Sequence, residues 1–232
     1  MNNVILSYRH PEFVQRLRAL GYHTIPSETL RTQVPYECDH ADLQCLIIND
    51  TAFVAEDCSA LKKVLSSRYT TVSCAKDIRG RYPKNVALNA VLLEKYIICK
   101  IDSLDPAIRE YCARQGYTIV NVRQGYTKCS CAVVGDHAII TADKGIYNSL
   151  RELNKISVLL IGEGSVRLDG TTYGFIGGAS GYNPVNNTIY FCGNILRHPD
   201  GDRIISFCND HSVKAISLTE EELIDIGGMI FC

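Results

Sequence analysis

Three side chains of this sequence are of the types a hydrolytic or transfer site needs. Cys232 is a candidate nucleophile, His40 a candidate proton carrier, and Asp42 a carboxylate able to orient either of them or to hold a cation. The demands are physical. A thiol near its free pKa is mostly protonated and must be activated before it attacks. A leaving amine needs a proton. A planar cation pairs best with a carboxylate that meets it on two oxygens. His40 and Asp42 stand two residues apart, so on a strand they share one face.

The sequence holds eleven cysteines. Their odd number, in a chain that begins without a secretory leader, argues against a disulfide framework. Most lie in apolar runs such as Ile97-Ile98-Cys99 and Tyr190-Phe191-Cys192 and read as small buried hydrophobes. Cys129-Ser130-Cys131 is the one tight pair, and nothing beside it completes a zinc site, so neither a metal nor a cofactor is expected. Gly174 to Gly181 is glycine-rich and able to approach a phosphate through backbone N–H groups. It lacks the lysine and spacing of a P-loop and reads as a tight turn. His198-Pro199-Asp200 reads as a helix entry capped by Asp200.

The 232 residues, 46% of them hydrophobic, suffice for one sizeable core. No Pro/Gly/Ser-rich linker divides them, so residues 1–232 read as a single domain. With 24 basic and 25 acidic residues the formal charge is -1. That balance gives no basic face for nucleic acid. No apolar run approaches the ~20 residues that span a membrane, so the expectation is a cytoplasmic protein with neither nucleic-acid nor membrane partner. Its oligomeric state is left open.

Positioning elements follow from periodicity. Helices are expected at Glu12 to Leu20, Cys58 to Leu65, Pro106 to Gln115, Lys144 to Leu153 and Gly201 to Asn209, with Asp105 and Asp143 as caps and Gly21 and Gly116 as stops. A β-branched or aromatic run follows each: Tyr22 to Ile25, Tyr69 to Val72, Tyr117 to Val120, Ser157 to Leu160 and Val213 to Ile216. Between each such strand and the next helix lies a hairpin. Leu43 to Val54 turns at Asn49-Asp50, Val86 to Lys100 at Glu94-Lys95, Lys128 to Thr141 at Gly135-Asp136, and Phe175 to Gly193 around Asn183 to Asn187. Gly228 to Cys232 supplies one last strand, with Val4 to Tyr8 as its partner from the other end. About five copies of one hairpin–helix–strand unit predict an α/β fold of radial type, a five-bladed β/α propeller.

A five-bladed β/α propeller with this unit resembles the pentein, or guanidino-group-modifying enzyme, fold. The resemblance spans essentially the whole chain and is most specific from Ile216 to Leu223 and from Gly227-Gly228 to Cys232. In dimethylarginine dimethylaminohydrolase-like and deiminase-like members a similar Gly-x-x-x-Cys run carries the nucleophile, and Cys232 falls at that spacing. The blocks Gln124 to Cys129 and Gly174 to Gly181 are similar to an uncharacterised family of the same fold. The resemblance implies a histidine just after a glycine in the third hairpin; Gly125-Tyr126-Thr127-Lys128 offers Thr127 and no histidine. It implies an acidic pair in the second hairpin, where Asn89 is neutral. As the last residue of the sequence, Cys232 would carry an α-carboxylate that raises its thiol pKa.

Aligning the hairpins by their turns makes Gln44, Asn89 and Ser130 equivalent, with Ser180 a looser fourth. Asp42 and Lys128 lie two residues earlier, on the same strand faces. Together they predict a polar, partly charged central channel. The leading reading is an uncharacterised pentein-fold protein that binds a small polar or amino-acid-like ligand there, contacted by Asp42, Gln44, Asn89, Thr127, Lys128, Ser130 and Ser180. One alternative is a Cys-dependent hydrolase or amidinotransferase acting on a guanidino or amidine substrate, with Cys232 as nucleophile and His40 and Asp42 standing in for the missing histidine. The other is a non-catalytic interaction protein, as the resemblance to the ribosome anti-association factor of this fold implies.

Overall fold

A computed structural model of the chain describes residues 3–232. Its elements run β1 (Asn3–Leu6), α1 (Pro11–Ala19), β2 (His23–Pro26), α2 (Ala41–Gln44), β3 (Cys45–Ile48), β4 (Thr51–Val54), α3 (Ser59–Leu65), β5 (Thr70–Ser73), β6 (Val91–Leu93), β7 (Tyr96–Cys99), α4 (Pro106–Gln115) and β8 (Thr118–Asn121). They continue through α5 (Thr127–Ser130), β9 (Cys131–Val133), β10 (Ala138–Thr141), α6 (Lys144–Arg151), β11 (Ser157–Leu160), β12 (Ser180–Asn183), β13 (Thr188–Phe191), α7 (Gly201–Asp210), β14 (Lys214–Ser217) and β15 (Ile230–Phe231).

The strands form five three-stranded sheets, four of them an antiparallel hairpin whose second strand also pairs in parallel with the strand after the next helix. In the first complete unit Cys45 faces Val54 across β3 and β4, and Thr51 faces Thr70 across β4 and β5. The fifth sheet joins distant parts of the chain: Val4 pairs antiparallel with Phe231, and Asn3 to Leu6 pair in parallel with His23 to Pro26. No helix among the described residues is long and apolar enough to cross a membrane.

Local chemistry sets these boundaries. The Asp105 carboxylate accepts from Ala107 N and caps α4, Pro106 fills its first turn, and Gly116 closes it at φ 75°. Asp143 does the same for α6 through Ile146 N. The hairpins turn on left-handed residues, Asn49 at φ 54°, Glu94 at φ 45°, Gly135 at φ 72° and Asn187 at φ 50°. The middle strands β4, β10 and β13 are buried throughout, covered on both faces, and read as continuous apolar runs. Phe53, Ile97, Ile98 and Phe191 are among the largest fully buried side chains, each contributing about 1.5–3 kcal/mol by removal from water.

Three expectations are corrected. Ala41 to Gln44 and Thr127 to Ser130 are not strand but single helical turns, and Lys84 to Val86 is a 3-10 turn. Residues two apart on a helix point in different directions, so His40/Asp42, Asp42/Gln44 and Lys128/Ser130 do not share faces. Asp200 does not cap α7 with its side chain; its carboxylate accepts from Gly162 N and from Arg203. The post-helix strands other than β11 begin one residue later than expected, because the Tyr or Val ahead of each serves as a packing residue at the strand entry.

Candidate functional site

The helical turns matter because each stands directly ahead of a strand that opens a sheet. Asp42 N donates to Gly227 O at 3.1 Å. Asn89 Nδ2 donates to Asp42 O at 3.0 Å, and Asn89 Oδ1 accepts from Lys128 N at 2.7 Å. Gly178 N donates to Cys129 O at 3.0 Å, and Gly228 N to Gly178 O at 2.7 Å. These bonds link the segments that lead into β3, β6, β9, β12 and β15 and return to the Gly227–Gly228 turn at which they began. Two glycines permit the close approach. A Cβ on Gly227, already at φ 76°, would lie 2.3 Å from His40 Cα, and one on Gly177 would lie 2.2 Å from Lys128 O.

Beside this circuit lies a pocket of about 180 Å³ lined by the opening strands of all five sheets. Leu46, Leu92, Val133, Tyr182 and Phe231 contribute apolar walls, and the polar side chains are Asp42, Lys128, Ser180 and the Tyr182 phenol. Asp42 is 2% exposed, and no nitrogen or oxygen donor meets either of its carboxylate oxygens, the Cys129 thiol being the weak donor beside them. Burial pushes its carboxyl from 3.8 to about 6, with His40 and Lys128 pulling the other way. The Lys128 ammonium reaches Gly177 O at 3.5 Å, and so does Ser180 Oγ. Both contacts are at the weak limit of hydrogen bonding, so the charged groups here retain capacity for a ligand.

The other expected residues are distributed elsewhere. Gln44 is occupied by main chain: its Oε1 accepts from Glu28 N at 2.8 Å, and its Nε2 donates to Glu28 O. Asn89 is occupied by the circuit and by Cys129, whose N and Sγ it also meets. Thr127 donates to Gln124 O at 2.6 Å, inside its own turn. Ser130 lines a different cavity, with His198. His40 lines a third, of about 240 Å³, with Asp39, Asp225 and Arg9, and its Nδ1 stands 4.0 Å from Asp225 Oδ1.

Cys232 is half-buried among Asn3, Arg68 and Tyr69. His40 packs on Gly227, five residues and an extended strand earlier, so the two are not brought together. Burial pushes the Cys232 thiol up to about 11 against the pull of Arg68, away from the range of an activated thiol.

Several buried polar residues near the strand entries were not anticipated. Glu37 accepts from Asn85 Nδ2 at 2.6 Å and from the Tyr126 hydroxyl at 3.1 Å, and burial raises its carboxyl. Tyr126 stacks between Tyr82 and Phe175. The Asp225 carboxylate accepts from Phe175 N and Gly227 N, both at 2.9 Å. The signal for Asp225 is its isolation inside the apolar run Leu223-Ile224-Asp225-Ile226, since a lone carboxylate in a buried segment has to answer fixed donors.

The pentein arrangement recurs in solved structures. The Pseudomonas aeruginosa DDAH, a cysteine-to-serine variant complexed with citrulline, superposes with a TM-score of 0.60 at 9% identity, covering 94% of this chain and 92% of that one. The C. jejuni agmatine deiminase gives 0.51 at 9% identity over 94% and 87%. ArgZ, a cyanobacterial arginine dihydrolase, gives 0.52 at 9% identity over 95% of this chain and 36% of its own. At such identity the likeness is one of fold. No curated protein matches the chain. The profile of DUF6873, a family of unknown function, matches residues 5–230, and the chain belongs to that family.

Proposed function

We propose that this protein binds a small α-amino-acid-like zwitterion in the pocket between the opening strands. Asp42 receives the ligand's ammonium and Lys128 its carboxylate, while Leu46, Leu92, Val133 and Phe231 take an apolar side chain. The observation that carries this reading is the Asp42 carboxylate, buried on a pocket wall with no nitrogen or oxygen donor on either oxygen and only the weak Cys129 thiol beside it. A buried charge without a partner is costly, and an ammonium group supplies both the charge and the donors. The citrulline in the DDAH complex supports an amino-acid ligand in this fold without specifying it here.

In this reading the five sheets are the blades of a closed β/α propeller and the pocket is one mouth of its axis. The hydrogen-bond circuit among the segments leading into the five sheets and the β15–β1 pairing support that arrangement. The eleven free thiols favour the cytoplasm, where glutathione keeps cysteines reduced. Nucleic-acid and membrane partners have no part in it.

The test is a panel of free amino acids, followed by thermal unfolding and calorimetry on the wild type, Asp42→Asn and Lys128→Met. At one-hundredfold excess over Kd a cognate ligand stabilises by about 2.7 kcal/mol, a rise in Tm of roughly 5 °C or more for a chain of this length. Both variants should lose that rise. Absence of any response across the panel, or equal binding by Asp42→Asn, would overturn the reading.

A further inference from the structure

A second cavity, of about 90 Å³, opens among Ser130 at the end of α5, Asp143 ahead of α6, the connection from Ile161 to Ile176 that follows β11, and His198. It shares no lining residue with the pocket that holds Asp42. A single water needs roughly 10–15 Å³ of such space, so the cavity has room for several waters or for one small planar group.

Two of the residues that line it, Ser130 and His198, are 3% and 4% exposed, and each carries a buried polar atom with no partner: Ser130 Oγ and His198 Nε2. The imidazole's other nitrogen, Nδ1, accepts from Asp200 N at 2.9 Å. Burial lowers the pKa of this ring, with Asp200 and the neighbouring Gly162 backbone opposing, so at neutral pH it is the uncharged tautomer whose Nε2 bears the hydrogen. His198 therefore offers a donor, and the Ser130 hydroxyl can offer another. Two carboxylates also line it, Asp143, already bonded to Gln124 and Ile146 N, and the exposed Glu163, beside the neutral polar side chains of Gln124, Ser165 and Tyr173. No lysine or arginine lines the cavity. An anion would meet two carboxylates with no cation to offset them, and a cation, though drawn to those carboxylates, would leave the buried His198 N–H without an acceptor, since of the two donors only the Ser130 hydroxyl can turn to accept.

We propose that this cavity is a ligand site for an uncharged amide or ureido group, its carbonyl oxygen turned to Ser130 and His198 and its N–H groups toward Asp143 and Glu163. Phe175, Ile161 and Val166 supply apolar surface for the planar group. The site is independent of the zwitterion pocket and stands or falls without it.

The experiment is a nuclear magnetic resonance titration of the full chain with acetamide and with methylurea, and with acetate and guanidinium as charged counterparts. Histidine ring resonances and the backbone amides of Gly162 and Ser165 are followed. Saturable shifts at His198 with the uncharged probes are expected, at least tenfold weaker response to the charged ones, and at least tenfold weaker binding by Ser130→Ala. Asp42→Asn should titrate as the wild type does. The proposal is overturned if neither uncharged probe gives a saturable shift at His198. It is equally overturned if acetate or guanidinium binds as well, if Ser130→Ala folds and binds unchanged, or if ordered waters hold both atoms and neither probe displaces them. Should Ser130→Ala fail to fold, the wild-type titration decides alone.

Discussion

Two sets of buried polar side chains meet at the entries of the opening strands, and they differ in what they lack. Gln44 and Asn89 lack nothing: each amide both donates and accepts, bonded to main chain of a neighbouring segment. Asp42 and Lys128 are poorly met: no nitrogen or oxygen donor reaches the buried Asp42 carboxylate, and the Lys128 ammonium has a 3.5 Å contact to Gly177 O. The first set holds segments together and has no capacity left for a ligand. The second contributes little to holding the fold, and its unmet capacity is what marks a binding site. A polar residue near an axis is therefore informative only after its hydrogen bonds are counted.

The comparison is tested first where the effect is largest. Asn89→Ala removes the link between Asp42 O and Lys128 N and strands those groups in the interior. A loss of about 3 kcal/mol is expected in denaturant unfolding. A loss under about 1 kcal/mol would mean that the circuit is not structural.

Next comes Asp42, through pH. Its carboxyl is ordinarily at 3.8 and sits at about 6 in the fold. Below 3.8 the folded and unfolded states are both protonated and the group has no effect. Between the two values the unfolded state releases its proton first, so stability falls as pH rises; above 6 the full penalty is present. Its size is roughly 3 kcal/mol. The difference in unfolding free energy between wild type and Asp42→Asn should change by about that amount between pH 4 and pH 7, with the wild type losing. A flat difference would show that the carboxylate is solvated or paired.

The smallest effect is expected at Ser180, whose hydroxyl reaches Gly177 O at 3.5 Å. Ser180→Ala should stay within about 0.5 kcal/mol of the wild type in stability. A larger loss would move Ser180 into the structural set.

Much of the architecture was legible beforehand. Asn49, Gly135 and Asn187 are residues that tolerate positive φ, and each hairpin turned where they stood. Asp105 and Asp143 announced their helices. The site was less legible, for a geometric reason. A single helical turn such as Ala41–Gln44 is too short to leave a 3.6-residue period, so alternation carried backward from the strand assigns its side chains to the wrong faces. That error grouped Asp42 with Gln44 and Lys128 with Ser130. Asp42 and Lys128 were still identified, because charged residues so close to a core strand are rarely idle. The partner of Gln44 is the backbone of Glu28, and no sequence pattern signals a main-chain partner. Cys232 keeps a nucleophile's spacing, yet spacing does not report that its surroundings raise its pKa.

The pairing of Val4 with Phe231 has a consequence for synthesis. A nascent chain can join β1 to β2 as soon as residue 26 has cleared the ribosome, but the other edge of β1 stays open until translation reaches Phe231. That is a contact of nearly maximal sequence separation, the kind that folds late. Throughout that interval an apolar edge, Val4-Ile5-Leu6, is available to strands of other chains, so the step most exposed to aggregation comes after four of the five sheets have been made.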